Sequence, residues 1–407
     1  MKTIKYIAPI LALAYISFTS CEDEPNGGNT SELKTIELTE GELVIAKQNN
    51  QFAWNMFSYA NDIEGNTIVS PLSASYAVCM TADGANGDTR DEIYRAFGFE
   101  NCDNADVNSY MQKLSSQLMS LDSKTTMAIA NSLWYNETYS IRDSYISNLK
   151  SFYNADVKLL GANAVNDINN WCSKKTKGLI KNLLSPSDIT TDIAAVLINA
   201  LYFKGEWKEK FDKKDTFKGD FYSIDNTTSK VDFMSGKKRA GYTETETFKM
   251  ASLDFGNGAF VARFILPNKD KTFNDCIEEI KTIGWERITR WYTTHTKYTV
   301  KIPKFTIANN LNMKPIYQKM GITSAFNSSA DFSNMSSISS IYVTDAFQSN
   351  YFKIDETGAT AASASGMAIG DGAPIGFTPI VLDRPFIFAL TEQSTGAILF
   401  IGKVEKL

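Results

Sequence analysis

The chain of 407 residues has a single imidazole. His295 lies in the polar run Tyr292-Thr293-Thr294-His295-Thr296-Lys297, so a Ser/His/Asp or Cys/His hydrolase would draw its general base from this position alone. The same count excludes a multi-histidine metal site, and nothing in the residues calls for a cofactor. Cys79, Cys102, Cys172 and Cys276 have no close spacing and read as two disulfides or as four buried thiols, between which spacing does not choose. Cys79 sits in Tyr76-Ala77-Val78-Cys79-Met80, the setting of a buried free thiol. A different chemistry lies between Glu356 and Pro379, where a long stretch rich in Gly, Ala and Ser reads either as a flexible linker or as a functional segment. Two details bear on the choice. From Ala359 through Gly366 the residues lack charge, proline and bulk, so each can alternate faces in a crowded sheet. Further on, Met367, Ile369 and Ile375 offer side chains that a protease pocket binds. A segment that slips between two existing strands needs that order, small first and variable later.

Such a segment needs elements to slip between, and the rest of the chain supplies them. Composition is 43% hydrophobic and 12% aromatic with a formal charge of -5, which describes a folded body with a sizeable core. With no block of Lys and Arg, nucleic acid is set aside as a partner. From Gln51, apolar residues Phe52, Ala53, Met56, Phe57 and Ala60 recur at helical spacing. Ser70-Pro71-Leu72-Ser73 opens a helix that runs through Met80. The run Ala194 to Phe203, interrupted only by Asn199, predicts a strand buried on both faces, and a buried Asn requires hydrogen-bond partners. Tyr298 to Ile302 alternates and ends at Pro303 as a strand with one wet face, while Pro385 to Leu390 and Ala397 to Ile401 predict a hairpin. Helices are expected in the first half and strands in the second, in one undivided α+β domain over residues 38–407.

The N-terminus reads as a targeting segment. Lys2 and Lys5 precede the apolar run Ile7 to Phe18, which is too short for a membrane-spanning helix and fits a signal peptide over residues 1–20. Phe18-Thr19-Ser20-Cys21 resembles the lipoprotein cleavage box, in which the cysteine becomes the lipidated first residue; the alternative is an ordinary secretory signal with an incidental cysteine. Glu22-Asp23-Glu24 resembles a surface-export signal of Gram-negative lipoproteins, and residues 21–37 form a tether. The expected location is the outer membrane or cell surface, facing outward, with membrane contact through the lipid alone.

From about residue 40 onward the chain resembles the serpin family. The segment Asn66-Thr67-Ile68-Val69-Ser70-Pro71-Leu72-Ser73 is similar to its shutter, and Asn199-Ala200-Leu201-Tyr202-Phe203-Lys204-Gly205-Glu206-Trp207 is the most specific match. Ile168-Asn169-Asn170-Trp171, Pro303-Lys304-Phe305, Met320-Gly321-Ile322, Ala330-Asp331-Phe332-Ser333 and Asp383-Arg384-Pro385-Phe386 add to it in order. The hinge is Asp355-Glu356-Thr357-Gly358-Ala359-Thr360-Ala361-Ala362.

The resemblance implies three β-sheets, eight or nine helices and an exposed reactive-centre loop over residues 358–378. It implies an irreversible suicide-substrate inhibitor of serine and, alternatively, cysteine proteases, which traps the acyl-enzyme when the cut loop inserts into the central sheet. Small hinge residues favour this over a non-inhibitory serpin-like surface binding protein, since a charge entering a sheet interior is expensive. Carried onto this sequence, the shutter and breach residues are Ser70, Ser73, Asn199, Trp207, Lys304 and Gln348. Gln348 stands where the family often has His, so the gate is expected to be less sensitive to pH than a His gate and to bond Asn199 and Ser70. Lys304 is expected to pair with Glu356. Counting from the hinge gives Gly372-Ala373 as the reactive bond; counting back from Asp383-Arg384-Pro385 gives Pro374-Ile375. Asp371, Ile369 and Ile375 are the alternative positions for the reactive bond. Ala368, Ile369, Gly372 and Ala373 suit elastase-like or subtilisin-like targets, and Asp371 an Asp-directed one.

Overall fold

The computed structural model describes residues 32–189, 193–290, 296–338, 341–359 and 379–407. They belong to a compact unit that begins at residue 31. The signal peptide, Cys21, His295, and the loop positions Thr360, Ala361, Ala362, Ile369, Asp371, Gly372, Ala373 and Ile375 lie outside the described residues.

Helix α1 (Glu40–Ala60) starts at a capping box in which the Thr39 hydroxyl accepts from the Glu42 N–H and the Glu42 carboxylate accepts from the Thr39 N–H. It begins well before Gln51, and Leu43 and Val44 of its first turns are exposed, which blurs the apolar spacing there. Strand β1 (Thr67–Val69) leads to α2 (Pro71–Gly84), capped by Ser70 with Pro at the first turn and almost entirely buried. Next come α3 (Gly87–Phe97), α4 (Asn104–Leu118), β2 (Thr125–Tyr135), α5 (Asp143–Tyr153), β3 (Asp156–Leu159), α6 (Ala164–Lys175) and β4 (Ala195–Glu206). Strands β5 (Phe217–Tyr222), β6 (Thr228–Arg239), β7 (Gly241–Glu244), β8 (Phe248–Phe255) and β9 (Phe260–Pro267) precede α7 (Phe273–Ile283) and α8 (Trp285–Arg290). The chain closes with β10 (Lys297–Pro303), β11 (Phe305–Asn312), α9 (Lys314–Lys319), β12 (Phe347–Asp355), β13 (Gly358–Ala359), β14 (Ile380–Val381), β15 (Phe386–Glu392) and β16 (Ile398–Val404).

These strands form three sheets. The central one has the order β11-β12-β13-β4-β2-β3, a second has β1-β16-β15-β9-β8-β7, and a four-stranded one has β14-β10-β6-β5. Among the described residues there are nine α-helices, and the class is α+β as expected. The β15–β16 hairpin forms, pairing Phe386 with Val404. Helices and strands are interleaved, not divided between the halves. Strand β2 escapes the period-two pattern because Asn131 and Ser132 interrupt it, yet it pairs with β4 from Thr125↔Gly205 to Tyr135↔Ala195. The lower end of β4, Ala195 to Leu197, is half-buried, so this strand is not covered on both faces throughout.

The core joins the two six-stranded sheets. Phe352 of β12 stacks on Phe388 of β15 at 4.9 Å, and Phe305 lies 5.2 Å from the same ring. Cys79, Cys102, Cys172 and Cys276 are all free thiols, which sets aside the disulfide reading; three of them are buried, while Cys102 is half-buried and departs from the expectation of four buried thiols.

Candidate functional site

The hinge is built where β12 ends. The chain turns through Glu356-Thr357 and comes back as β13, which is laced between β12 and β4. Ala359 pairs with Ile354 on one side and Gly205 on the other; Gly358 pairs with Asp355 and Glu206. The first two residues of the 358–378 segment are therefore sheet, and Ala359 is only 1% exposed. Gly358 has φ +143°, and a Cβ there would lie 2.0 Å from the Gly205 carbonyl oxygen, so no other residue fits.

Side chains from three other segments hold this turn. The Trp207 indole donates to the Asp355 carbonyl at 2.8 Å, and the Trp207 N–H donates to the Thr357 carbonyl at 2.9 Å. The indole itself is fixed by stacking on Phe255 at 4.4 Å. The Phe211 N–H donates to the Glu356 carbonyl at 3.1 Å. The Thr216 hydroxyl donates to Glu356 Oε1 at 2.8 Å, and Lys304 Nζ lies 3.1 Å from the same oxygen. Burial pushes the Glu356 carboxyl up, but its own backbone N–H, Thr216 and Lys304 outweigh that and hold it below the ordinary range. Asp355 is lowered in the same way: burial raises it, and the Thr357 hydroxyl and N–H with Lys353 more than offset the rise.

Further down the same sheet lies a buried polar network. Ser70 donates its N–H to Gln348 Oε1 at 2.9 Å and receives Gln348 Nε2 on its carbonyl at 2.8 Å, while its hydroxyl donates to the Leu399 carbonyl at 2.7 Å. The Ser73 hydroxyl donates to Asn199 Oδ1, and Asn199 Nδ2 donates to Asn131 Oδ1 at 2.6 Å. Gln348 thus bonds Ser70, as expected, but its second amide partner is Asn350 and not Asn199, because Asn199 is already committed to Ser73 and Asn131. Asn131 and Asn350 were not legible as site residues. Asn350 shares the buried face of β12 with Gln348, two residues away, and Asn131 is the register partner of Asn199; both facts need the pairing to be known. The described gate consists of amides and hydroxyls, none of which titrates near neutrality.

Among the described residues no cluster of three or more His, Cys, Asp or Glu is placed to hold a metal. The geometry is that of a lane between β12 and β4, of which Gly358 and Ala359 fill the first two positions.

Comparison with known proteins agrees with that geometry. The family model described as serpin (serine protease inhibitor) matches residues 47–407. An uncharacterised serpin-like protein of Methanosarcina mazei is 28% identical over 424 residues, covering 100% of this chain and 98% of the other. Leukocyte elastase inhibitor A of Mus musculus is 28% identical over 375 residues, covering 88% and 98%. Among solved structures, the thermophilic serpin tengpin in its native state superposes with a TM-score of 0.82 at 27% identity, over 93% of this chain and 97% of that one. With the family model spanning nearly the whole described body and the three-sheet architecture matched by solved relatives, the chain belongs to the serpin family of protease inhibitors.

Proposed function

We propose that this serpin is a suicide-substrate inhibitor of secreted serine proteases, with cysteine proteases as a second class, tethered outside the cell through lipidated Cys21. The observation that carries the reading is the hinge, where Gly358 and Ala359 already occupy the lane between β4 and β12. A protease attacks the Gly372 carbonyl, forms an acyl-enzyme and releases Ala373 as the new amine. The cut segment then continues β13 downward, gaining hydrogen bonds to a strand on each side, and carries the acylated protease with it.

The register supports this course. Extending the β13 pairing places Thr360 opposite Lys204 and Ile369 opposite Ala195, so the strand ends just short of Gly372. Residues that share the core-facing side of Ala359 are Ala361, Ser363, Ser365, Met367 and Ile369. None carries a charge, and the small ones come first. Ser365 arrives opposite Asn199, where a hydroxyl joins the amide network. Met367 and Ile369 arrive at an apolar cavity of about 130 Å³ lined by Leu197, Ala195, Val78, Tyr317, Phe326 and Phe347, which is the room larger side chains need.

The test is incubation with a panel of elastase-like and subtilisin-like proteases. A band at the summed mass that survives boiling in detergent is expected, together with a released peptide beginning at Ala373 by mass spectrometry. Cleaved serpin beside fully active protease across the panel assigns the chain to the non-inhibitory binding reading. For the anchor, metabolic fatty-acid labelling of the wild type is expected and should vanish in Cys21→Ala.

A further inference from the structure

The four-stranded sheet carries a face that the inhibitory cycle as described leaves unused. In the β10–β6 pairing Lys297 stands opposite Arg239, Thr299 opposite Lys237 and Lys301 opposite Ser235. Directly opposed residues and their second neighbours share a face, so Lys237, Arg239, Lys297 and Lys301 all project from one side. The other side, with Tyr298, Val300, Ile302 and Met234, is buried. Lys237, Arg239 and Lys297 are exposed and Lys301 half-buried. Arg239 has Glu209 at 3.7 Å, and Lys301 Nζ lies 5.4 Å over the ring of Phe217, itself 41% exposed. Like charges directly opposite on a strand pair are destabilising. Lys297 and Arg239 stand in that relation, Glu209 offsets it from the Arg239 side, and the face keeps a cationic excess in a protein whose net charge is negative.

Position names the partner. Val381 of β14 pairs with Lys301, and β14 is where the chain re-enters the body directly after the 358–378 segment. A protease that holds that segment is tied to this sheet by the few residues between the segment and β14. We infer that the basic outer face of the four-stranded sheet is a second docking surface, complementary to proteases that carry clustered Asp and Glu beside their substrate cleft. The inference rests on the protease-inhibitor reading and adds a target property that the loop residues do not encode. Opposite charge at the rim of an encounter acts on the association rate, and salt screens it.

The experiment compares wild type with a Lys237→Glu, Lys297→Glu, Lys301→Glu variant. A Lys47→Glu, Lys150→Glu, Lys181→Glu variant has the same net charge and an unchanged sheet. Association rates are measured from low to high salt with an acid-rimmed and a neutral-rimmed protease of matched cleavage preference. The sheet variant should lose about tenfold or more in rate with the acid-rimmed enzyme at low salt and converge on wild type at high salt. Rates with the neutral enzyme and the stoichiometry of complex should not change. Equal losses in both variants, or none in either, overturn the inference. So does retention on a sulfated-polysaccharide resin that only the sheet variant loses while its rates stay at the wild-type value, which assigns the face to a polysaccharide. If no protease forms a covalent complex with the wild type, the suicide reading has failed by itself. Binding of the active-site-blocked acidic protease then decides: selective loss in the sheet variant upholds the docking surface, and no binding to wild type overturns it.

Discussion

Arginine at position 359 asks a cation to sit where Ala359 is 1% exposed between two strands, at a cost of several kcal/mol. We expect Ala359→Arg to be cut at the same bond as wild type, to release active protease and to form little covalent complex, as read by denaturing gel and residual activity. A fully inhibitory variant would mean that strand insertion is not the mechanism. Glu356 gives a second residue-level outcome. Its carboxyl is held below its ordinary value of 4.5 in the folded state. A depressed carboxyl contributes stability that is complete above the unfolded value and is lost as pH falls through the folded one. Glu356→Gln should therefore lower the thermal midpoint by a constant amount near neutrality, about 1 kcal/mol in stability, and the difference should shrink below about pH 4.5. A difference that persists at low pH would show that the Lys304 pair is not its source.

Strand β13 is two residues long, and its existence depends on a backbone shape. Adding a methyl at Gly358 drives a Cβ into the Gly205 carbonyl, so Gly358→Ala should release β13 from the sheet. Hydrogen exchange at the Ala359 amide should rise while β2 and the second sheet stay protected; unchanged protection would refute the strain argument. The shutter makes a different prediction. Since Gln348 accepts from the Ser70 N–H without titrating, wild-type polymer formation on gentle heating should not vary between about pH 7.5 and 5.5. In Gln348→His an imidazole takes that role, and its protonation below about pH 6.5 removes the acceptor and charges a buried site. The variant should polymerise faster as pH falls through that region. A similar acid step in wild type would place the sensitive group elsewhere.

At the scale of the molecule, the described residues are held by packing without a disulfide among them. Burial is what raises the thiols: Cys172 and Cys276 are pushed up to about 12, and Cys79 further, which leaves them inert. The half-buried Cys102 is also raised, with Asp106 and Asp103 adding to its partial burial. In the native protein Cys79, Cys172 and Cys276 should resist alkylation near pH 8 and react together on unfolding, the half-buried Cys102 should react ahead of them, and the thermal midpoint should not change on adding a reductant. A midpoint that falls with reductant would reveal a disulfide and contradict the free thiols. The same molecule cut once within 358–378 should unfold at a higher temperature than the intact one, because the central sheet gains a strand.

What could be read from residues alone was local or carried by short motifs. The Ser70 cap, the β15–β16 hairpin, the small hinge residues and the family itself needed nothing beyond neighbouring positions. The free state of the thiols, the amide partners of the shutter and the depth to which Gly358 and Ala359 enter the sheet did not follow from it. Each depends on contacts between distant segments, such as Ser70 with Gln348 and Trp207 with Asp355, whose closeness no spacing along the chain reveals. The basic face is the plainest case. Lys237 and Arg239 lie far along the chain from Lys297 and Lys301, so the sequence shows only the triplet Lys237-Lys238-Arg239, whose middle residue is buried, and the antiparallel register of β10 on β6 is what sums the rest into one surface.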